Sequence, residues 1–145
     1  MRQHAGYWHR RQPRQHADMR LPPRRIHLAD TDATGVAYSG RLVDLGLQRL
    51  EEALAGGGLE IASFASGPAG PAVVHLSADF RRPARLGERL GASVTVVEVG
   101  DSSARFAVRL GTAAEVSIVL VWVDRAAGTA APWPPALRRK LARLG

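Results

Sequence analysis

The sequence predicts an α+β domain in which one long helix lies against a curved antiparallel sheet. Three observations predict it. A single strongly periodic helical stretch occupies 39–55, and four β-rich segments follow it between 71 and 125. The gaps between those segments are short, which implies antiparallel neighbours, since parallel strands need a long crossover.

Taken in order, "RRIHLAD" (24–30) reads as a short strand running into the turn "DTDATG" (30–35). Ser39 or Gly40 opens a helix to about Ala55, where Val43, Leu47, Leu50 and Leu54 recur at i, i+4, i+7 and i+11 and make one buried face. "GGG" at 56–58 stops it. "LEIASFAS" adds one turn, and "GPAGP" is a rigid exposed loop. "PAVVHLSADFRRP", "ERLGASVTVVEVG", "SARFAVRLG" and "AEVSIVLVWVDR" then read as four strands in a meander, with "GDSS" and "GTAA" as turns. "PPALRRKLARLG" forms an amphipathic turn or two through Leu137, Leu141 and Leu144, suited to docking or to pairing with a second subunit.

At 145 residues the chain is expected to be one domain, able to bury roughly 68–70% of its unfolded surface without a staple. It contains no cysteine, which excludes disulfides, cysteine-ligated zinc and a thiol nucleophile. No apolar run approaches the ~20 residues of a spanning helix, and no signal-peptide core opens the chain, so the expectation is a cytoplasmic protein without membrane attachment.

The net charge of +7 is unevenly placed. Residues 1–25 carry +6 and 137–145 carry +4, leaving −3 for the middle. The basic character therefore belongs to the ends, and no nucleic-acid partner is expected. Residues 1–23 read as a basic, disordered tail, 24–126 as the folded domain and 127–145 as a C-terminal extension with a short helix. Arginine outnumbers lysine nineteen to one, a sign of biased coding, and translation from Met19 is an expectation that mass spectrometry of the native protein checks.

Two aspartates on a turn feeding a helix admit three chemistries. A calcium loop puts oxygen ligands at positions 1, 3 and 5 and glycine at 6, which Asp30, Asp32, Thr34 and Gly35 satisfy, but position 12 is Arg41 instead of a bidentate glutamate. A phosphoryl-transfer aspartate, as in haloacid dehalogenase-like phosphatases, needs a later lysine and then an acidic pair. The one lysine, Lys140, lies beyond every downstream acid, and the alternating β-α pattern is missing. The third chemistry is a carboxylate working on a carbonyl held at the helix end. There, unsatisfied N–H groups around Ser39 and Gly40 can receive the negative charge that builds on a carbonyl oxygen under attack.

"IHLADTDATGVAY", the helix "SGRLVDLGLQRLEEAL" and the later "PAVVHLSADFRRPARLGERL" together resemble the hotdog-fold acyl-CoA thioesterases of the hydroxybenzoyl-CoA type, nearest to the dihydroxynaphthoyl-CoA thioesterase branch. The likeness covers about Arg24 to Arg125. It implies a sheet wrapped around the helix, subunits paired sheet edge to sheet edge as a homodimer or homotetramer, and Asp32 as the catalytic carboxylate, by direct attack or by activating water. It implies no metal and no bound cofactor. An Asx-turn is the structural alternative for Asp32 and the expected role of Asp30, and Gly35 is expected to supply a left-handed backbone. Tyr38 is a candidate for lining the acyl pocket. His75 is a candidate for orienting the acyl group, against a buried histidine satisfied by backbone. Arg81, Arg82, Arg85 and Arg89 are candidates for the CoA phosphates, against a solvated sheet edge. The expected function is hydrolysis of an acyl-CoA with an aromatic acyl group. The rivals are a thioesterase for acyl carrier protein, with the arginines as its docking face, and a non-catalytic acyl-binding module.

Overall fold

The computed structural model describes residues 18–145. Its elements are β1 (Met19–Arg25), a 3₁₀ turn (Leu28–Asp30), α1 (Ser39–Gly56), a second 3₁₀ turn (Ile61–Phe64), β2 (Ala69–Phe80), β3 (Arg89–Val99), β4 (Ser103–Leu110), β5 (Ala114–Asp124), the short β6 (Thr129–Ala130) and α2 (Pro135–Leu144). The sheet is antiparallel, in the order β1-β3-β4-β5-β2, with β6 added to β5. It curls around α1, which is the hotdog arrangement.

Core and sheet follow from side-chain alternation. Leu90, Ala92, Val94 and Val96 of β3, Ala104, Phe106, Val108 and Leu110 of β4, and Val116, Ile118, Leu120 and Trp122 of β5 all point inward and are buried. α1 meets them with Leu42, Leu45, Gly46, Leu50, Ala53 and Leu54. A Cβ on Gly46 would lie 2.8 Å from Cγ2 of Val116, so the absent side chain is what lets the helix come this close to β5. The expected stripe through Val43 and Leu47 is therefore displaced: both are only half-buried, while Leu50 and Leu54 are in the core. The helix turns toward the sheet on its smallest residues, Gly46 and Ala53, which a search for large apolar side chains passes over.

The four-strand meander is also corrected. β3, β4 and β5 form a meander, but β2 pairs with β5 at the far edge and β1 takes the place beside β3. Residues 81–88 carry the chain from the edge strand β2 past β5 and β4 to β3, and such a link is too long for a tight hairpin. The first strand begins earlier than expected. Met19 and Leu21 pack against the core, and the strand bulges at Pro22 and Pro23, which have no N–H to donate. The expected basic tail lies largely outside the described residues; its last part, from Met19, is paired with β3.

α2 closes the far end of the sandwich. Leu141 is fully buried, Leu137 and Leu144 pack on the core, and the Lys140 Nζ donates to the Gly58 carbonyl at 2.9 Å, just beyond the C-terminus of α1. Trp133 sits beside Trp122, with ring centroids 5.6 Å apart. No helix among the described residues is long and apolar enough to cross a membrane.

Candidate active site

The turn ahead of α1 is built from backbone outward. Thr31 bridges Ala37, the Asp32 N–H donates to the Val36 carbonyl at 3.0 Å, and the Gly35 N–H donates to the Asp32 carbonyl at 3.1 Å. Gly35 makes this possible with φ of +74°, a left-handed conformation that a side chain resists. The closed loop is then stitched to the segment between β2 and β3. The Ala37 N–H donates to the Ala84 carbonyl at 2.8 Å and the Leu86 N–H to the Gly35 carbonyl at 2.9 Å.

The two aspartates of this turn have different surroundings. Asp30 is buried, with Arg24 Nη1 2.7 Å from Oδ2, Arg41 Nε 2.7 Å from Oδ1 and the His27 N–H 2.8 Å from Oδ2. The Arg24 hydrogen bond first, then the His27 and Arg41 bonds, hold its carboxyl far below the usual aspartate range, against the opposing pull of burial. Both oxygens are thus occupied, which leaves the calcium-like spacing without its first ligand. Arg24 and Arg41 are roles that sequence reasoning missed. Arg41 was visible only as a cation where a metal loop wants an acid, and its i+11 relation to Asp30 crosses a turn that no helical or strand period describes.

Asp32 stands exposed. Oδ1 accepts from both the Thr34 hydroxyl at 2.6 Å and the Thr34 N–H at 2.8 Å, an Asx-turn geometry. These two bonds lower its pKa below the usual value, the hydroxyl contributing most, and the Val36 N–H adds a smaller pull in the same direction. The short contacts from Thr34 fall on Oδ1, and no side chain among the described residues donates to Oδ2.

α1 starts at once after this loop, with Tyr38 as its N-cap residue and no side-chain cap. The Arg41 and Leu42 N–H groups both donate to the Tyr38 carbonyl. Those of Ser39 and Gly40 reach no protein acceptor among the described residues, so the helix presents two free amides and the positive end of its dipole. The half-exposed Tyr38 ring lies over them, 3.6 Å from where a Gly40 Cβ would stand.

The other candidates divide. His75 lies exposed in the middle of β2, opposite Val119 and next to a bulge, and is neither buried nor brought to Asp32. Arg81 is paired with Glu115 at 3.3 Å and Arg82 with Glu88 at 2.5 Å, while Arg85 makes no close side-chain pair and meets Glu88 through its backbone N–H at 3.0 Å and at longer range through its charge. Arg85 bridges Val36, so of the four it is the one set against the Asp32 loop. Sequence reasoning also missed a cleft of about 320 Å³ between α1 and β2, lined by Leu47, Leu50, Ile61, Val73 and Leu120 with Glu51 and Arg125. Its residues come from four separate segments, and no local pattern in the sequence marks it. Among the described residues, no group of three histidine, aspartate or glutamate side chains is placed to hold a metal ion.

Known proteins align with this architecture. The profile of the thioesterase-like superfamily matches residues 26–141. The 1,4-dihydroxy-2-naphthoyl-CoA hydrolase of Rippkaea orientalis is 30% identical over 98 residues, 67% of this chain and 71% of the relative. That of Acaryochloris marina is 35% identical over 68 residues, 46% of this chain and 50% of the relative. The chain thus spans about half to two-thirds of the length of several such relatives. A crystal structure of a 1,4-dihydroxy-2-naphthoyl-CoA thioesterase from Synechocystis superposes with a TM-score of 0.78 at 23% identity, covering 88% of this chain and 98% of that one, a likeness of fold. With the profile match running from the strand before the aspartate turn into α2, the chain belongs to the thioesterase-like superfamily.

Proposed function

We propose that this protein hydrolyses an acyl-CoA thioester, with Asp32 acting on the acyl carbon and the Ser39 and Gly40 amides holding the carbonyl oxygen. The observation that carries this reading is the union of an open carboxylate and an uncapped helix N-terminus in one closed turn. The Thr31–Ala37 bridge stands one residue from Asp32 and two from Ser39. As the carbonyl carbon becomes tetrahedral, its oxygen gains negative charge, which fixed amides stabilise without reorganising. Asp32 Oδ2 either attacks the carbon, giving a mixed anhydride that water opens, or takes a proton from the attacking water. In both routes the C–S bond breaks, the sulfur leaves as the CoA thiol, and the acyl group leaves as a carboxylic acid.

The relatives' 1,4-dihydroxy-2-naphthoyl-CoA supports an aromatic acyl group as the substrate class. Arg85, set beside the loop and in no side-chain hydrogen bond or close ion pair, is the best-placed guanidinium for a CoA phosphate. The working unit is a homodimer or a pair of them. β2 is an edge strand of 12 residues with Val73, Val74, Leu76 and Phe80 all substantially exposed, and an apolar edge of that length is a template for a second strand. A second copy there would also wall the cleft between α1 and β2 and bring in its own His75.

The test is thiol release from a panel of aromatic, short-chain and long-chain acyl-CoAs, run with a folded Asp32→Asn variant. Activity on aryl-CoAs that falls by two orders of magnitude or more in the variant is the expected result, since the amide cannot attack or accept the proton. Silence across the panel, or activity indifferent to Asp32, overturns the mechanism in favour of a carrier-protein thioester or an acyl-binding module.

A further inference from the structure

Resting on that reading of Asp32, we infer that Thr34 is a positioning residue of the reaction: it commits Oδ1 of Asp32 to the turn and leaves Oδ2 as the one oxygen able to act on the thioester.

Between Thr31 and Ala37 the chain is closed by its own bridge and by two internal N–H···O=C bonds, and it is tied from outside through Ala84 and Leu86. In a loop held this way the Asp32 Cα has little freedom, and the remaining motion is in the two side-chain torsions of the carboxylate. An exposed aspartate with both torsions free exchanges its oxygens and samples several rotamers, most of them turned away from the helix end. Two donors from one residue remove that freedom. The Thr34 N–H at 2.8 Å and the Thr34 hydroxyl at 2.6 Å both meet Oδ1, so the carboxylate is held at one oxygen from two directions. Hydrogen bonds to a charged acceptor are stronger than neutral ones, and the hydroxyl distance is at the short end of the range. Oδ2 then points away from Thr34 by the geometry of the carboxylate itself.

The division of labour explains why threonine suits this place. Its side chain is exposed and fills no core space, so packing does not require it. A residue without a hydroxyl would keep the backbone N–H contacts and lose the shortest bond, leaving the carboxylate more loosely held. A near-attack geometry depends on such constraint, and a displacement of about 1 Å can cost on the order of 100-fold in rate.

The experiment compares Thr34→Val, which removes the hydroxyl at nearly constant shape, with Thr34→Ser, which keeps it, on an aryl-CoA found to be a substrate, with folded Asp32→Asn alongside. Thr34→Val is expected to lower kcat about tenfold or more, with KM within about twofold, and Thr34→Ser to restore kcat to within about threefold of the parent. Thermal melting within a degree or two of the parent is expected for both. Undiminished kcat in Thr34→Val, or an equal loss in Thr34→Ser, overturns the positioning role while an inactive Asp32→Asn leaves the Asp32 reading standing. An active Asp32→Asn overturns both.

Discussion

Asp30 and Asp32 are two residues apart on one turn, yet the first is buried between the guanidinium groups of Arg24 and Arg41 and the second is exposed with one carboxylate oxygen free of side-chain donors among the described residues. The pair joins architecture to chemistry. Asp30 ties β1 and the first turn of α1 to the loop, and the loop so fixed presents Asp32 beside the helix end.

Asp30→Asn is expected to cost about 2 kcal/mol at neutral pH, less than the ~3–5 kcal/mol of breaking a fully buried pair, because both guanidinium groups are about a quarter exposed and screened. The sign of its pH dependence follows from the depressed carboxyl. A folded-state pKa below the ordinary 3.8 means that the stabilisation is present above that value and is lost as pH falls toward the folded-state value. Denaturant melts of parent and variant should therefore differ most near neutrality and converge in strong acid. A gap that widens on acidification would contradict the assignment.

Arg85→Ala should raise KM for a CoA thioester about threefold to tenfold with little change in kcat, the pattern of lost ground-state binding to a phosphate. Arg139→Ala, on the remote helix α2, serves as the charge-matched control. Equal effects of the two would reduce the arginine to general electrostatics, which added salt screens, whereas a direct phosphate contact at Arg85 should keep part of its effect on KM at high salt.

Gly46→Ala sets helix propensity against packing. Alanine favours a helix interior by about 1 kcal/mol, but the new methyl falls 2.8 Å from Val116 Cγ2, and overpacking costs about 1–3 kcal/mol. The net expectation is a melting temperature lowered by a few degrees. In a Val116→Ala background the same change should become neutral or stabilising, and a double-mutant cycle reads the coupling directly.

Val74 is 58% exposed on the β2 edge, so a charge there should oppose pairing with a second copy. Analytical ultracentrifugation is expected to give at least twice the chain mass for the parent and a shift toward monomer for Val74→Glu. A monomeric parent would refute the edge-to-edge assembly.

The sequence legibly carried those features whose cause is local. The span of α1 was readable because its period, its glycine stop and its start beside the turn all lie within one stretch of chain. β3, β4 and β5 were readable because each alternates and short turns join them to one another. The left-handed Gly35 rests on neighbours no more than three residues away and so was foreseeable from residue type, whereas the Asx-turn expected of Asp30 is made by Asp32, because Arg24 and Arg41 claim the Asp30 carboxylate.

What only the tertiary structure decided are the relations between distant segments. β2 pairs with β5, not with its sequence neighbour β3, because a curled sheet places those two strands side by side around the helix, and no local pattern encodes that choice. α1 turns Leu42 and Gly46 inward, not Val43 and Leu47, because the fit against Val116 decides its rotation. Arg41 and Arg24 converge on Asp30 from a helix and a strand, and Arg81 and Arg82 differ from Arg85 in that the fold brings their side chains onto Glu115 and Glu88. Local hydrogen bonding and periodicity act over a few residues and can be read along the chain, whereas burial and charge pairing act through space and wait for the fold to bring their partners together.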